Sequence, residues 1–435
     1  MKAYSKYKES GLKWVGKIPE HWLKKDLNHT HTSERYSFTG GPFGSDLKHN
    51  EYTKKGVRII QLQNIGIGNF IDNYKIYTSE KKADELSSCN IYPGDIIIAK
   101  MADPVARACI MPIIADRYLM ASDGIRLKVD TQKFSTEFIV YSLNSAYFKY
   151  QAELNSTGTT RLRIGLGALR KMKLITPPLT EQKTIANFLD HKTAQIDESI
   201  SKRKQLIKLL KEERKAIINE AVTKGINPNV KMKDSGIEWI GEIPKHWEVK
   251  RFKYWFDLQT KKSETRGKKI GLENVESKTG QFIETNTVFE GDGVDFETND
   301  ILYGKLRPYL AKVWLSNIKG SAVGDFFVFR PKRNVDPLFA FNKILDYGFI
   351  EITNSSTYGA KMPRVSWEYI SNLYMALPEK KEQIQIAEHI NTKTSHIDQE
   401  IQSAQKEIDL LTEYRQSLIT EAVTGKIDVR DYPLN

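Results

Sequence analysis

EQKTIANFLDHKTAQIDESISKRKQLIKLLKEERKAIINEAVT, residues 181–223, returns as EQIQIAEHINTKTSHIDQEIQSAQKEIDLLTEYRQSLITEAVT, residues 382–424, without a gap and with 19 of 43 residues identical. In the first copy Ala186, Thr193, Ile200, Ile207, Arg214 and Ala221 fall seven apart, interleaved with Leu189, Ile196, Arg203, Leu210 and Ile217. In the second copy the same seam reads Ala387, Thr394, Ile401, Ile408, Arg415 and Ala422, with Ile390, Ile397, Ala404, Leu411 and Leu418 between them. Apolar residues at that spacing are the a and d positions of a coiled coil. Neither copy contains Gly or Pro, each follows a proline-bearing stretch (PPLTEQ, LPEKKEQ), and each stops at a glycine, Gly225 or Gly425. These are start and stop signals for helices, and they predict two helices, each about 65 Å long at 1.5 Å per residue. A one-sided seam needs a partner, and two copies of one seam on one chain are natural partners for each other. The alternative, a surface helix packed on its own domain, is rarely this long. The expected coiled-coil core is therefore Leu189, Ile196, Ile200, Ile207 and Leu210 against Ile390, Ile397, Ile401, Ile408 and Leu411. Arg214 and Arg415 share one seam position. A buried Arg there needs a carboxylate or carbonyl partner, unless it snorkels to solvent near a helix end.

A second repeat stands in front of each helix. SGLKWVGKIPEHW at 10–22 returns as SGIEWIGEIPKHW at 235–247, with 8 of 13 positions identical. The offset is 225 residues at Trp22/Trp247 and 201 at Glu181/Glu382, so the second block is the shorter one. Each block mixes strand-like runs (VRIIQLQNI at 57–65, DIIIAK at 95–100, DFFVFRP at 325–331) with a few helical stretches, around 134–154 and 337–351. Further anchors align: Asp95 with Asp300, Lys100 with Lys305, Asp123 with Asp325, and Arg163 with Arg364. The expected fold class is α+β. Two similar mixed α/β domains, residues 1–180 and 231–380, are joined by two long antiparallel helices, 181–230 and 381–435, that form an intramolecular coiled coil with pseudo-two-fold symmetry.

The chain has 435 residues and a net charge of +12, and its 40% hydrophobic content is enough for real cores and excludes disorder as the main state. The first block carries a net +10, the first helix +3, the second block +3 and the last segment −4. A basic excess in one globular block points to a polyanion; the competing reading is an inert basic surface. No run approaches the ~18 apolar residues that a membrane span needs, so no membrane partner is expected. The N-terminal stretch lacks an apolar leader, and Cys89 and Cys109 make neither a disulfide framework nor a metal pattern, which fits a reducing cytoplasm.

Loop chemistry supplies candidate nucleic-acid contacts. TGGPFGSDLK at 39–48 is a glycine-rich turn with Ser45 and Lys48, whose backbone N–H groups suit phosphate oxygens. STGTTRLRIG at 156–165 gathers Thr160, Arg161 and Arg163, and SSTYGAKMPRVS at 355–366 puts Lys361 and Arg364 at the equivalent place. Arg holds guanine O6 and N7 bidentately or clamps phosphate, and both roles remain open for Arg163 and Arg364. Lys100, Arg107, Lys305, Arg307 and Lys312 follow the DIIIAK and DILYGK strands and are candidate phosphate contacts. Trp14, Trp22, Trp239 and Trp247 are able to stack on bases, but packing at the domain entrance is the favoured reading.

No catalytic constellation is found. Gly16-Lys17, Gly267-Lys268 and Gly425-Lys426 are not followed by Ser or Thr, so there is no phosphate-binding GxxxxGK[ST] loop, and there is no dinucleotide fingerprint. Pro177-Pro178 follows Thr176 rather than the Asn or Asp of an amino-methyltransferase motif. His29 and His31 lack neighbouring ligands and read as a turn, not a metal site. Asp95 loosely suggests nuclease spacing with Lys100, but its recurrence as Asp300 at the start of a strand favours a turn or cap.

Together, two WxGxIPxHW openings, the GPFGSDLK loop, two PxxxEQ helix starts and the helix ends EAVTKG (220–225) and EAVTGK (421–426) resemble the specificity subunit of type I restriction-modification systems, over essentially the whole chain. The resemblance implies two target recognition domains, each reading one half of a bipartite site in double-stranded DNA. It also implies two modification subunits that bind S-adenosylmethionine and methylate adenine N6, and two restriction subunits that use ATP and Mg2+. No catalytic residue, metal or cofactor is then expected in this chain. The remaining alternatives are a self-contained DNA methyltransferase or nuclease, and a coiled-coil scaffold that does not bind DNA.

Overall fold

The computed structural model describes residues 2–101, 103–159, 161–262, 268–287, 289, 291–359 and 361–432. The two long helices run Leu179–Lys224 and Lys380–Val423. The chain falls into two compact units, residues 1–203 with 406–435, and residues 204–405, so each unit includes part of both helices. In the first unit Arg415 donates to Asp197 (Nε 2.9 Å, Nη2 3.1 Å) and Arg203 pairs with Glu407 at 2.6 Å. In the second unit the helices exchange roles: Arg214 Nε donates to Asp398 at 2.9 Å, while Ile218, Ala221 and Val222 share an apolar cluster with Ile386, Ala387 and Ile390. In both units rising numbers on one helix meet falling numbers on the other, so the pair is antiparallel. Every seam position is buried or half-buried except Arg203. The seam arginines have the carboxylate partners that burial demands.

In the first unit, a four-stranded antiparallel sheet is ordered Ala108–Ile110, Ile96–Ala99, Gly124–Leu127, Phe38–Gly40. A five-stranded sheet contains Val57–Ile60 parallel to Tyr118–Met120. Ile97, Ala99 and Cys109 of the first sheet meet Val57, Ile59, Tyr118 and Met120 of the second in one buried cluster, which accounts for the near-continuous apolar run IIIA. On its other side the first sheet shares a larger core with helix Thr136–Asn144 and with Ile185, Phe188 and Leu189 of the long helix.

The second unit repeats the plan with fewer strands. Its four-stranded sheet is ordered Phe256–Gln259, Phe326–Pro331, Ile301–Gly304, Val313–Leu315. Its three-stranded sheet again has one parallel pairing, Lys269–Ile270 with Gly320–Val323. Among the described residues it has no counterpart of the strands Tyr52–Thr53 and Ile76–Thr78 or of helix Glu80–Glu85. The offset between copies accordingly drops to 210 at Leu62/Leu272 and 205 at Asp95/Asp300.

The junction of domain and helix is built on one plan twice. Glu181 accepts from Tyr4 Oη at 2.5 Å, Trp22 Nε1 at 3.2 Å and His21 Nε2 at 2.8 Å. Glu382 holds Trp247 Nε1 at 3.2 Å and His246 Nε2 at 2.6 Å. The adjacent Gln182 and Gln383 accept from the backbone N–H of Ser135 and Asp336, the N-caps of helices Thr136–Asn144 and Pro337–Leu345. The repeated EQ pair of each helix start is thus a clamp, and Trp22 and Trp247 are buried packing residues, as the sequence favours. Each helix ends on a glycine with positive φ, +77° at Gly225 and +71° at Gly425. A Cβ on Gly425 would lie 2.3 Å from Pro19 Cδ, so the end of the second helix seats directly on the first IPxHW opening. Among the described residues, no helix is long and apolar enough to cross a membrane.

Candidate nucleic-acid interface

The charged loops gather at one end of each four-stranded sheet. In the first domain Lys100 closes strand Ile96–Ala99, and its N–H donates to Asp123 O at 2.7 Å. Ile164 N donates to Lys100 O at 2.9 Å, which brings the Arg163 loop alongside, and Arg163 forms an ion pair with Asp123. In the second domain Lys305 N donates to Asp325 O at 2.8 Å, Val365 N donates to Lys305 O at 3.1 Å, and Arg364 pairs with Asp325 at 3.0 Å. The arginines remain 48% and 44% exposed, so both present a guanidinium edge to solvent while an Asp fixes its direction. Pairs this exposed contribute at most about 1 kcal/mol to stability. Their value is orientation.

Other expected contacts are placed differently. Arg107 donates from Nε to Ile65 O at 2.6 Å and from Nη2 to Leu62 O at 2.8 Å, and Lys312 donates to Leu272 O at 2.7 Å and Val275 O at 2.8 Å. Each therefore directs two donors inward, onto a turn. In the glycine-rich loop, Phe43 N donates to Asp46 Oδ2 at 3.2 Å and Lys48 N to Glu51 Oε2 at 2.7 Å, so carboxylates already occupy two of the amides. Ser45 Oγ also points to Asp46, at 3.1 Å. The Lys48, Arg161 and Lys361 side chains are exposed. Lys305 lies 5.4 Å over the Phe327 ring, and Arg307 adopts φ 50° with its N–H on Pro363 O. Thr160 lies outside the described residues.

Two features escape a reading of the sequence. The run 57–65 is not one strand: it ends at Ile60, and Leu62–Asn64 is a tight helical turn stapled by the Asn64 side chain. Beside this turn a cleft of about 510 Å³ opens, lined by Phe43, Gln61, Gln63, Arg107, Ser122 and Asp123. Phe43 stands 81% exposed at its edge.

Asp95 proves structural. It accepts from Tyr92 N at 3.0 Å and from the buried Arg126 Nε at 2.7 Å, and burial pushes its carboxyl above the usual carboxylate range against the pull of Arg126. Asp300 makes the same turn cap to Glu297 N and binds Arg330. Among the described residues no three His, Cys, Asp or Glu side chains group as metal ligands.

A family model described as the type I restriction modification DNA specificity domain matches residues 45–209. The EcoDI specificity subunit of Escherichia coli is 24% identical over 67% of this chain and 70% of its own length. The putative MjaX specificity subunit of Methanocaldococcus jannaschii is 23% identical over 98% of both. Among solved structures, a chain from work on complex assembly and conformational transition of the type I R-M system superposes with a TM-score of 0.70 at 13% identity, covering 94% of this chain and 99% of that one. The HsdS subunit from Thermoanaerobacter tengcongensis gives 0.53 at 13% identity, over 94% and 98%. At that identity the likeness speaks for the fold.

Proposed function

We propose that the chain is a specificity subunit of a type I restriction-modification system and that its two domains, residues 1–180 and 231–380, each read one half of a bipartite site in double-stranded DNA. The chain itself is a recognition subunit without catalysis. The helical segments 181–230 and 381–435 set the number of base pairs between the halves and dock two modification subunits. S-adenosylmethionine belongs to those subunits, and ATP and Mg2+ belong to two restriction subunits, all within the cytoplasm. The observation that carries this reading is the duplicated Asp–Arg pair, Asp123–Arg163 and Asp325–Arg364, on two copies of one scaffold whose surrounding loops differ. Ser45, Lys48, Lys100, Thr160, Arg161, Lys305, Arg307 and Lys361 are proposed as further backbone contacts. Arg107 and Lys312 act by supporting the turn between them and the DNA.

Two experiments test it in the assembled modification complex. Replacing residues 1–180 by the first domain of another family member is expected to change one half of the methylated site only; a change in both halves refutes independent reading. Inserting four residues between Gln205 and Leu206 adds about 6 Å of helix and is expected to lengthen the spacer by about one or two base pairs at 3.4 Å each. Methylation sites that keep their original spacer would refute the ruler.

A further inference from the structure

The turn Leu62–Asn64 of the first domain and the turn Leu272–Asn274 of the second are fastened by the same locks, and they differ at the one side chain left outside. Asn64 Oδ1 accepts from Gln61 N at 3.1 Å and its Nδ2 donates to Ile71 O at 3.0 Å. Asn274 repeats both bonds, from Gly271 N and to Ile283 O, each at 3.0 Å. From behind, Arg107 ties Leu62 O to Ile65 O, and Lys312 ties Leu272 O to Val275 O. Between these locks Gln63 and Glu273 are exposed, whereas Asn64 and Asn274 beside them are buried. A short turn bonded on both sides fixes the backbone of its central residue, and so the direction in which its side chain leaves, before any ligand arrives. Packing does not explain that residue, because it touches no core. Each turn also adjoins its Asp–Arg pair. Gln63 and Asp123 line one cleft, and Leu272 packs against Gly304, next to the Lys305 whose N–H holds Asp325 O.

We propose that Gln63 and Glu273 are base-reading residues, one for each half-site: Gln63 takes an adenine and Glu273 a cytosine in the major groove. This rests on the half-site reading above and gives it atoms. A Gln amide offers one donor and one acceptor, the complement of adenine N7 and N6–H2, and an ionised Glu only accepts, the complement of cytosine N4–H2. Arg163 and Arg364, being the same residue in both domains, do not distinguish two half-sites; they suit the phosphate contacts common to both.

The test exchanges the two side chains in the full assembly with its modification subunits and maps methylated sites. Q63E is expected to shift one position of the first half-site from adenine to cytosine by about tenfold or more, leaving the spacer and the second half as they were. E273Q is expected to do the reverse in the second half alone. Both side chains are exposed, so melting temperature serves as the folding control, and Q63A is expected to relax that one position while methylation continues. An exchange that leaves its own half-site unchanged, or that alters the opposite half, overturns the assignment. A wild-type assembly whose sites show no bipartite consensus overturns the half-site reading itself, and that control separates the two failures.

Discussion

The first and second domains agree inside and part company outside. Asp95 and Asp300 are the same buried turn cap, Asn64 and Asn274 the same staple, and Glu181 and Glu382 the same clamp on an entrance tryptophan. Yet Gln63 faces solvent where the second copy has Glu273, and an extra pair of strands and a helix stand where the second copy has none among its described residues. Buried polar groups tolerate no change that leaves a partner unsatisfied, so a duplicated scaffold keeps them. Exposed positions carry no such penalty and are free to diverge in what they recognise.

If the shared interior is what holds each domain, its removal has the largest effect. Trp22→Ala and Trp247→Ala are each expected to destabilise by about 3–5 kcal/mol, read as a loss of melting temperature. Trp22 is expected to cost more, since the Glu181 it leaves has 7% exposure against 26% for Glu382. Equal losses would mean that the clamps are energetically equivalent despite their different burial.

A departure inside the second domain gives the next largest effect. Lys343 is buried, donates to Val222 O at 2.8 Å, and is pushed down to about 8 by burial, partly offset by Asp346; Ser142 stands at the matching place in the first domain. Its folded pKa lies below its unfolded value, so the unfolded chain binds the proton more tightly between pH 8 and 10. Stability therefore rises across that window and does not depend on this group below it. Lys343→Met removes the rise. The variant's stability relative to wild type is expected to fall by up to about 3 kcal/mol from pH 7 to pH 10, and parallel melting curves at the two pH values would contradict this.

The smallest effect is expected at the seam. Arg415→Met and Arg214→Met each break one partly exposed ion pair, to Asp197 or Asp398, and should cost under about 1 kcal/mol. Unequal values would show that the two ends of the helix pair are not interchangeable.

How far the sequence leads follows the same division. Heptad spacing exposed the long helices because periodicity is local, and the recurrence of Asp95 as Asp300 marked a structural carboxylate. The clamp of Glu181 on Trp22 spans 159 residues, and no local pattern announces it. The turn at Leu62–Asn64 hid inside an apolar run because one Asn side chain, not hydrophobicity, ends the strand. Arg107 looked like a surface cation, and only the fold directs its guanidinium onto the carbonyls of Leu62 and Ile65.

Gly425 seated against Pro19, and the Gln and Glu clamps at each helix start, pin both tips of the rods. If the rods set the gap between half-sites as proposed, changes of length are expected mid-rod, near Leu206 and Leu209, where side chains face water, and in steps that keep the phase of the winding.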